Sequence, residues 1–458
     1  MSLKGHDVKR KVAALTAISA LALGLGGCAS TAGEGGGSTA DRNLSCTNTI
    51  VNEEAEQVLL WAWYPAFESV VDEFNNTHDD VQVCWNNAGV NIDEYTKLNT
   101  ALKAGSGAPD VVMIEAAIVP SYTLQDAFLD LTEYGAGDVE KNYTEGAWSD
   151  VSNDNGVFAI PVDGGPMGML YRSDIFEQYG VAVPTTWEEF AEAGRQLRAN
   201  GYEGYITNFP TNGKAYIQSL FAQNGAEPYE YDATDPESIG INLDSPEVIE
   251  VLEYWEALVD EGLVSSNDRT TAEDNARMLD GTYATYIAAA WGPGYLQGLV
   301  EGGVPEGKWQ AAPLPQWDAS DPVDVNWGGS TFAVTKQAAN PELAAKVAME
   351  IFGTDEAWKI GIEEATLFPL WKPALEADYF TNYEHPFFGG QTIYKDVFVD
   401  AADGYKGFTN TPFQNFVYDK TNEELASMVQ GKSSAEETAK SLESLLSDYA
   451  TQQGFTVR

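Results

Sequence analysis

Ten residues stand where folding could gather flat rings and planar polar groups: Trp61, Trp63, Tyr64, Glu115, Asp163, Asn208, Trp291, Trp327, Gly328 and Trp371. Trp61, Trp63 and Tyr64 close a strand-forming apolar run that begins at Val58, and Glu115 closes another that begins at Asp110. Asp163 precedes a Gly-Gly-Pro break, and Asn208 ends the short run Tyr205–Asn208. Trp291 follows the β-prone stretch Tyr283–Ala290; Trp327 and Gly328 lie in VNWGGSTFAV, and Trp371 in TLFPLWKP. The chemistry these types support is non-covalent. Covering one apolar ring face removes about 60–100 Å² of surface on each side, worth about 2–3 kcal/mol. Carboxylates and amides hold two hydrogen bonds at once, the charged acceptors more strongly. Gly328 and Gly329 let backbone amides approach a ligand closely. Strand side chains alternate, so only one of Trp61 and Trp63 need face a given cleft.

Covalent chemistry is poorly equipped. Glu115 and Asp163 could pair as glycosidase acids, but with 70 Asp and Glu in the chain some pair always could. A G-x-S-x-G elbow is missing, and GGPMG is no phosphate loop. The histidines, His6, His78 and His385, are too few for a His-rich zinc site. No cofactor, metal or catalytic residue is expected. The net charge of −45 repels phosphate backbones, which excludes nucleic acid, and favours neutral or cationic ligands.

At 458 residues, two domains are the natural expectation. The stretch Ala159–Gly201 organises them. An apolar run, Ala159–Val162, reaches Asp163, breaks at Gly164-Gly165-Pro166 and resumes as Met167–Tyr171. A strand that kinks over an acid and resumes suits a crossover between two lobes. A helix from Ser173 to Gly180 follows, then one opening with Thr186 and Glu189 as a capping box. Upstream, Val58–Trp63, a helix using Phe67, Val70, Val71 and Phe74 after Pro65, Val81–Trp85, a helix from Asp93, and Asp110–Glu115 make a parallel doubly wound unit. Ligands of such sheets sit beyond the carboxyl ends of the strands, where Trp61, Trp63, Tyr64 and Glu115 lie. Further on come helices near Tyr216–Asn224, after Ser245-Pro246 and from Asn340-Pro341 to Phe352, and a last one opened by Ser434 and Glu437.

The crossover, the run KLNTALKAGSGAPDVVMIE, then GTYATYIAAAWGPG, PLPQW, GGSTFAVTKQAANPELAAKVAMEIFG and MVQGKSSAEETAKSLESLL follow one family's order. Over residues 55–450 the chain resembles the extracellular sugar-binding proteins of ATP-driven (ABC) importers, the group that includes maltose-binding protein. The resemblance implies an α/β, bilobed periplasmic-binding-protein-like fold, two doubly wound lobes joined by hinge crossovers. The lobes are expected at 51–161 plus 283–335 and at 162–282 plus 336–458. It also implies a non-enzymatic, monomeric protein that takes a neutral oligosaccharide to a membrane permease, with Asp163 facing the ligand. A polyamine-binding protein of the same build is the rival reading. A cell-surface glycoside hydrolase and a structural adhesin rank below it.

Lys4, Lys9, Arg10 and Lys11 precede an apolar run, Val12–Leu25, that ends in Leu-Gly-Gly-Cys28. This resembles the lipobox of bacterial lipoproteins and implies cleavage after Gly27, lipid on Cys28 and a place on the outer face of the cell membrane; an ordinary signal peptide is the alternative. Cleavage removes four basic residues and one acid, a change of +3, leaving −45 − 3 = −48. Residues 28–50 follow as anchor and flexible tether. Cys46 and Cys84 suggest a disulfide, with two free thiols as the alternative.

Overall fold

The computed structural model describes residues 44–64, 66–90, 92–299 and 307–458. The expected signal peptide, Cys28, the tether up to residue 43 and Pro65 lie outside the described residues. The main sheet starts from β1 (Glu56–Trp61), β2 (Val81–Asn86) and β3 (Val111–Glu115), with β1 parallel to both others. Helix α1 (Phe67–Thr77) buries Phe67, Val70, Val71 and Phe74, the face that the i, i+3, i+4, i+7 spacing predicts. Helix α2 spans Ile92–Ala104.

The crossover is one strand of 13 residues, β4 (Ile160–Arg172). It touches both halves because its two ends have different partners. Its first half pairs antiparallel with β7 (Asn326–Val334), which in turn pairs with β3. Its second half runs between β5 (Thr285–Ala289) and β6 (Trp309–Pro313). The sheet order is therefore β5-β4-β7-β3-β1-β2, with β6 on the other edge of β4.

Tyr283–Ala290, which the sequence suggested as the chain's return to the first lobe, thus lies against Met167–Tyr171. An apolar, β-prone run encodes a buried strand but not its partner. From the stretch 283–335, β5 and β6 join the second half of β4 while β7 joins the first.

One core gathers Leu60, Phe67, Trp85, Phe332, Phe352 and Trp358. Another gathers Trp187, Phe190, Trp255, Leu442 and Leu446, from α3 (Trp187–Ala199), α5 (Pro246–Asp260) and α10 (Ala435–Gln453), with Phe209 and residues of α4 (Lys214–Gln223). α6 (Ala272–Asp280) lies between them in the chain. Past β7, α7 (Pro341–Glu350) and α8 (Asp355–Ala365) pack with the first core, and α9 (Gln414–Val429) with the second.

Ser434 and Glu437 close a full capping box on α10. At α3 the box is shifted by one residue. Thr186 accepts from Glu189 N–H, but the Glu189 carboxylate reaches Thr185 N–H at 2.8 Å. The pattern locates the helix start; the local turn decides which amide is satisfied.

Cys46 and Cys84 are joined, with their Cα atoms 4.9 Å apart. Asn48 fastens the same segment to β2. Its amide donates to Val83 O at 2.9 Å and its carbonyl accepts from Trp85 N–H at 2.7 Å. Residues 44–50, expected to belong to the flexible tether, are thus tied to the sheet edge. Reduction of this bridge, which spans 38 residues, should lower unfolding free energy by about 2–4 kcal/mol, measured by denaturant titration with and without dithiothreitol.

Candidate functional site

The site is built on the kink of β4. Asp163 is 9% exposed, and its Oδ1 accepts from the Tyr64 hydroxyl at 2.8 Å and from Ser330 N–H at 3.1 Å. Tyr64 is wedged among Phe67, Phe332 and Phe352, so its hydroxyl has little choice of direction. Burial raises the Asp163 carboxyl to about 6, against the lowering effect of those two donors. The other edge of the kink is held by the loop after α8: Gly164 N–H donates to Phe368 O and Leu370 N–H to Val162 O.

Over the glycines lies the first part of β7. Gly328 and Gly329 both take positive φ, 81° and 112°, which a side chain would resist. Asn326 Oδ1 accepts from Gly165 N–H at 2.8 Å, and Asn326 O accepts from the Ser219 hydroxyl of α4 at 2.8 Å. A Cβ on Gly165 would sit 2.0 Å from Trp327 O. Glycine at 165 therefore sets how closely the two strands approach.

Around this kink a cavity is lined by Asp150, Pro161, Asp163, Asn326, Gly328, Ser330 and Tyr405, among others. A neighbouring space of about 50 Å³ adds Glu115, Gln218, Ser219, Asn410 and Tyr418. Both halves contribute, and among the described residues no Lys or Arg lines either space. Glu115 Oε2 accepts from the Tyr95 hydroxyl at 3.1 Å, which itself accepts from Glu115 N–H at 3.0 Å. Asp150 accepts from the Tyr405 hydroxyl and from Phe408 N–H, and desolvation raises its carboxyl to about 7.

The structure thus brings Tyr64, Glu115, Asp163 and Gly328 together. The rings are distributed differently. Trp327 packs edge-on against Trp291, centroids 4.8 Å apart, and the Trp291 indole donates to Trp327 O at 3.3 Å. Trp61 and Trp63 are half-buried beside a third small core, and Trp63 meets Tyr95 edge-on at 5.9 Å. Trp371 is half-buried against the first core, its backbone bridged to Tyr143. None of these five indoles lines the two spaces at the kink.

Asn208 is fully buried. Its amide donates to Asp274 at 3.0 Å and its carbonyl accepts from Arg269 Nε at 3.1 Å. Its polar atoms are committed inside the second core, where Arg269 stacks under Tyr216, Tyr286 and Trp327. A short strand ending on an amide does not reveal that an arginine from elsewhere in the chain will claim it.

Asp150, Tyr405, Gln218 and Asn410 were not anticipated. Asp150 closes a one-turn helix, Glu145–Ser149, and Tyr405 and Asn410 lie in a loop between helices. Only their convergence marks them.

With this geometry in view, the sequence profile of bacterial extracellular solute-binding proteins matches residues 62–357. The chain belongs to that family. A binding protein of an ABC transporter from B. animalis subsp. lactis, solved with β-1,6-galactobiose, is 30% identical, covers 88% of this chain and all of its own, and superposes with a TM-score of 0.76. The galacto-N-biose/lacto-N-biose I-binding protein of Bifidobacterium longum, 24% identical over 88% of this chain and 99% of its own, shares the fold with the same score. An arabinooligosaccharide-binding protein of Halalkalibacterium halodurans is 25% identical over 77% of this chain and 79% of its own length. The fold is the bilobed α/β fold of these solute-binding proteins, and the family places the chain outside the cytoplasm.

Two outcomes follow for this solute-binding protein. Gly165→Ala should displace the Trp327 strap, costing about 1–3 kcal/mol of stability by overpacking and shifting the tryptophan emission. For Asp150, a carboxyl raised from 3.8 to about 7 on folding holds its proton in the folded state while the unfolded chain has lost it. Its contribution to stability falls as pH rises from about 4 to about 7 and is flat above. Asp150→Asn should remove that slope, so the variant gains on the parent across this window in pH-dependent urea unfolding.

Proposed function

We propose that the chain captures a short neutral oligosaccharide between its lobes and delivers it to the membrane permease of an ABC importer. The observation that carries this reading is the cavity at the β4 kink, lined from both halves by planar hydrogen-bonding groups and, among the described residues, by no basic side chain. Sugars offer hydroxyl edges that suit Asp150 and Asn410. The relatives support a saccharide ligand: one was solved with β-1,6-galactobiose and another is an arabinooligosaccharide-binding protein. Lipid attachment at Cys28, a monomeric state and the absence of catalysis belong to the same reading.

A space of about 50 Å³ is far below the roughly 300–1,000 Å³ of small-molecule sites. The halves must part for a ring to enter, and the kink at Gly164–Gly165 is where they can. Closure follows because a ligand touching both halves stabilises the closed arrangement over the open one. In this reading the first lobe comprises the sheet β1–β3 with β7, α7 and α8. The second comprises β5 and β6 with α3 to α6, α9 and α10, and β4 is shared.

One feature favours the cationic alternative: three carboxylates, Glu115, Asp150 and Asp163, border the cavity. Each accepts hydrogen bonds from tyrosine hydroxyls, an arrangement suited to orienting neutral partners rather than to meeting ammonium groups. Calorimetric titration with neutral di- to tetrasaccharides and with spermidine separates the two. Sugar binding is expected; binding of spermidine and of no saccharide would overturn the carbohydrate reading. Trp291→Ala removes the indole that donates to Trp327 O, between the cavity-lining Asn326 and Gly328; through that backbone it should weaken saccharide binding at least about tenfold, or about 1.4 kcal/mol, with the melting temperature little changed.

A further inference from the structure

A buried charge stands against the ring at the centre of the strap Asn326–Gly328. Arg269, just ahead of α6 in the chain, is 4% exposed. Its donors are spent inside the second core. Nη1 donates to Ile287 O of β5 at 2.8 Å, and Nε donates to Asn208 Oδ1 at 3.1 Å. Asn208 passes the contact on, its amide donating to Asp274 Oδ1 of α6 at 3.0 Å. The flat guanidinium meets three rings. Its Cζ lies 4.6 Å from the ring centre of Tyr216 in α4, 4.4 Å from that of Tyr286 in β5 and 5.3 Å from that of Trp327. The first two belong to the same half as Arg269. Trp327 is carried by β7, the strand that pairs with β3 and with the first half of β4, yet its ring packs with the second core.

We propose that Arg269 is a positioning residue for ligand capture: it lines neither space at the kink, and by stacking on Trp327 it fixes the cavity wall formed by Asn326 and Gly328. The proposal rests on the carbohydrate reading above and adds a residue to that site. The strap needs such a hold. Gly328 and Gly329, which follow the ring, take positive φ, so the backbone there is chosen for turning rather than for stiffness. Asn326, which precedes it, closes the strap on itself by donating from Nδ2 to Gly328 O, and hangs on α4 through the Ser219 hydroxyl. The Trp327 ring is what the second core can grip between those points. Arginine suits the task where lysine does not. A planar fork can lie against a ring while its edge donates to two carbonyl oxygens in different elements, whereas an ammonium offers one compact charge and no flat face. A desolvated cation also holds a ring more firmly than an exposed one. Arg269 thus ties β5, α6 and the short strand at Asn208 to the one stretch of β7 that borders the ligand.

The test is a double-mutant cycle read by calorimetry with neutral di- to tetrasaccharides, well below each variant's melting temperature. Its members are the parent, Arg269→Gln, Trp327→Leu and the double variant, with Arg269→Lys alongside to keep the buried charge without the fork. Arg269→Gln and Trp327→Leu should each weaken saccharide binding by about tenfold, and the double variant by no more than about twofold beyond the weaker single one, because both act through the same contact. Arg269→Lys should recover little of the loss, and it carries the test if Arg269→Gln does not fold. A merely structural arginine would lower the melting temperature and leave the affinity of the folded protein unchanged. Affinity within about twofold of the parent in the folded Arg269 variants, or losses that multiply in the double variant, would overturn the role of Arg269 and leave the carbohydrate reading standing. Failure of every saccharide to bind the parent would overturn that reading, and the positioning role with it.

Discussion

A single strand shared by two halves sets the constraint on this molecule. β4 pairs with β7 through its first residues and with β5 and β6 through its last. Every backbone group along it must be satisfied by one side or the other. That is possible only because the chain narrows to Gly164-Gly165 at the change of partner, where Trp327 O approaches the Gly165 position to 2.0 Å of a would-be Cβ. The hydrogen bonds of Asn326 to Gly165 and of Ser219 to Asn326 then connect the kink to α4.

Charge is managed at the same place. The chain is acidic overall, yet the acids at the kink are held by neutral donors: Asp163 by Tyr64 and Ser330, Asp150 by Tyr405 and Phe408. Both carboxyls lie above their ordinary range because burial disfavours the charged form more than these donors favour it. Such groups are poised to exchange one hydrogen-bond partner for another without meeting a counter-ion. The net negative field acts at longer range, on solubility and on which solutes approach.

Local patterns were legible where one element carries its own information. The spacing Phe67, Val70, Val71, Phe74 stated which face of α1 is buried, and Ser434 with Glu437 stated where α10 begins. Asp163 before Gly-Gly-Pro marked where regular pairing is interrupted: β4 runs on, but the register of β7 shifts opposite it. The site was only partly legible. Tyr64, Glu115, Asp163 and Gly328 stand at strand ends or breaks and do meet, whereas Asn208, equally placed in its own strand, is consumed by Arg269 and Asp274. Trp291 and Trp327 pack on each other, with Arg269 under the Trp327 ring, an arrangement that no spacing encodes.

The amino-acid sequence by itself determined the periodicities, the caps, the kink and the acidic balance, because each depends on residues within a few positions of one another. The tertiary structure decided which strands accept which neighbours, that β5 joins the second half of β4, and that Asp150, Tyr405 and Asn410 arrive beside Asp163. Those outcomes depend on how separate apolar faces close over one another, a property of the assembled cores that no local pattern contains.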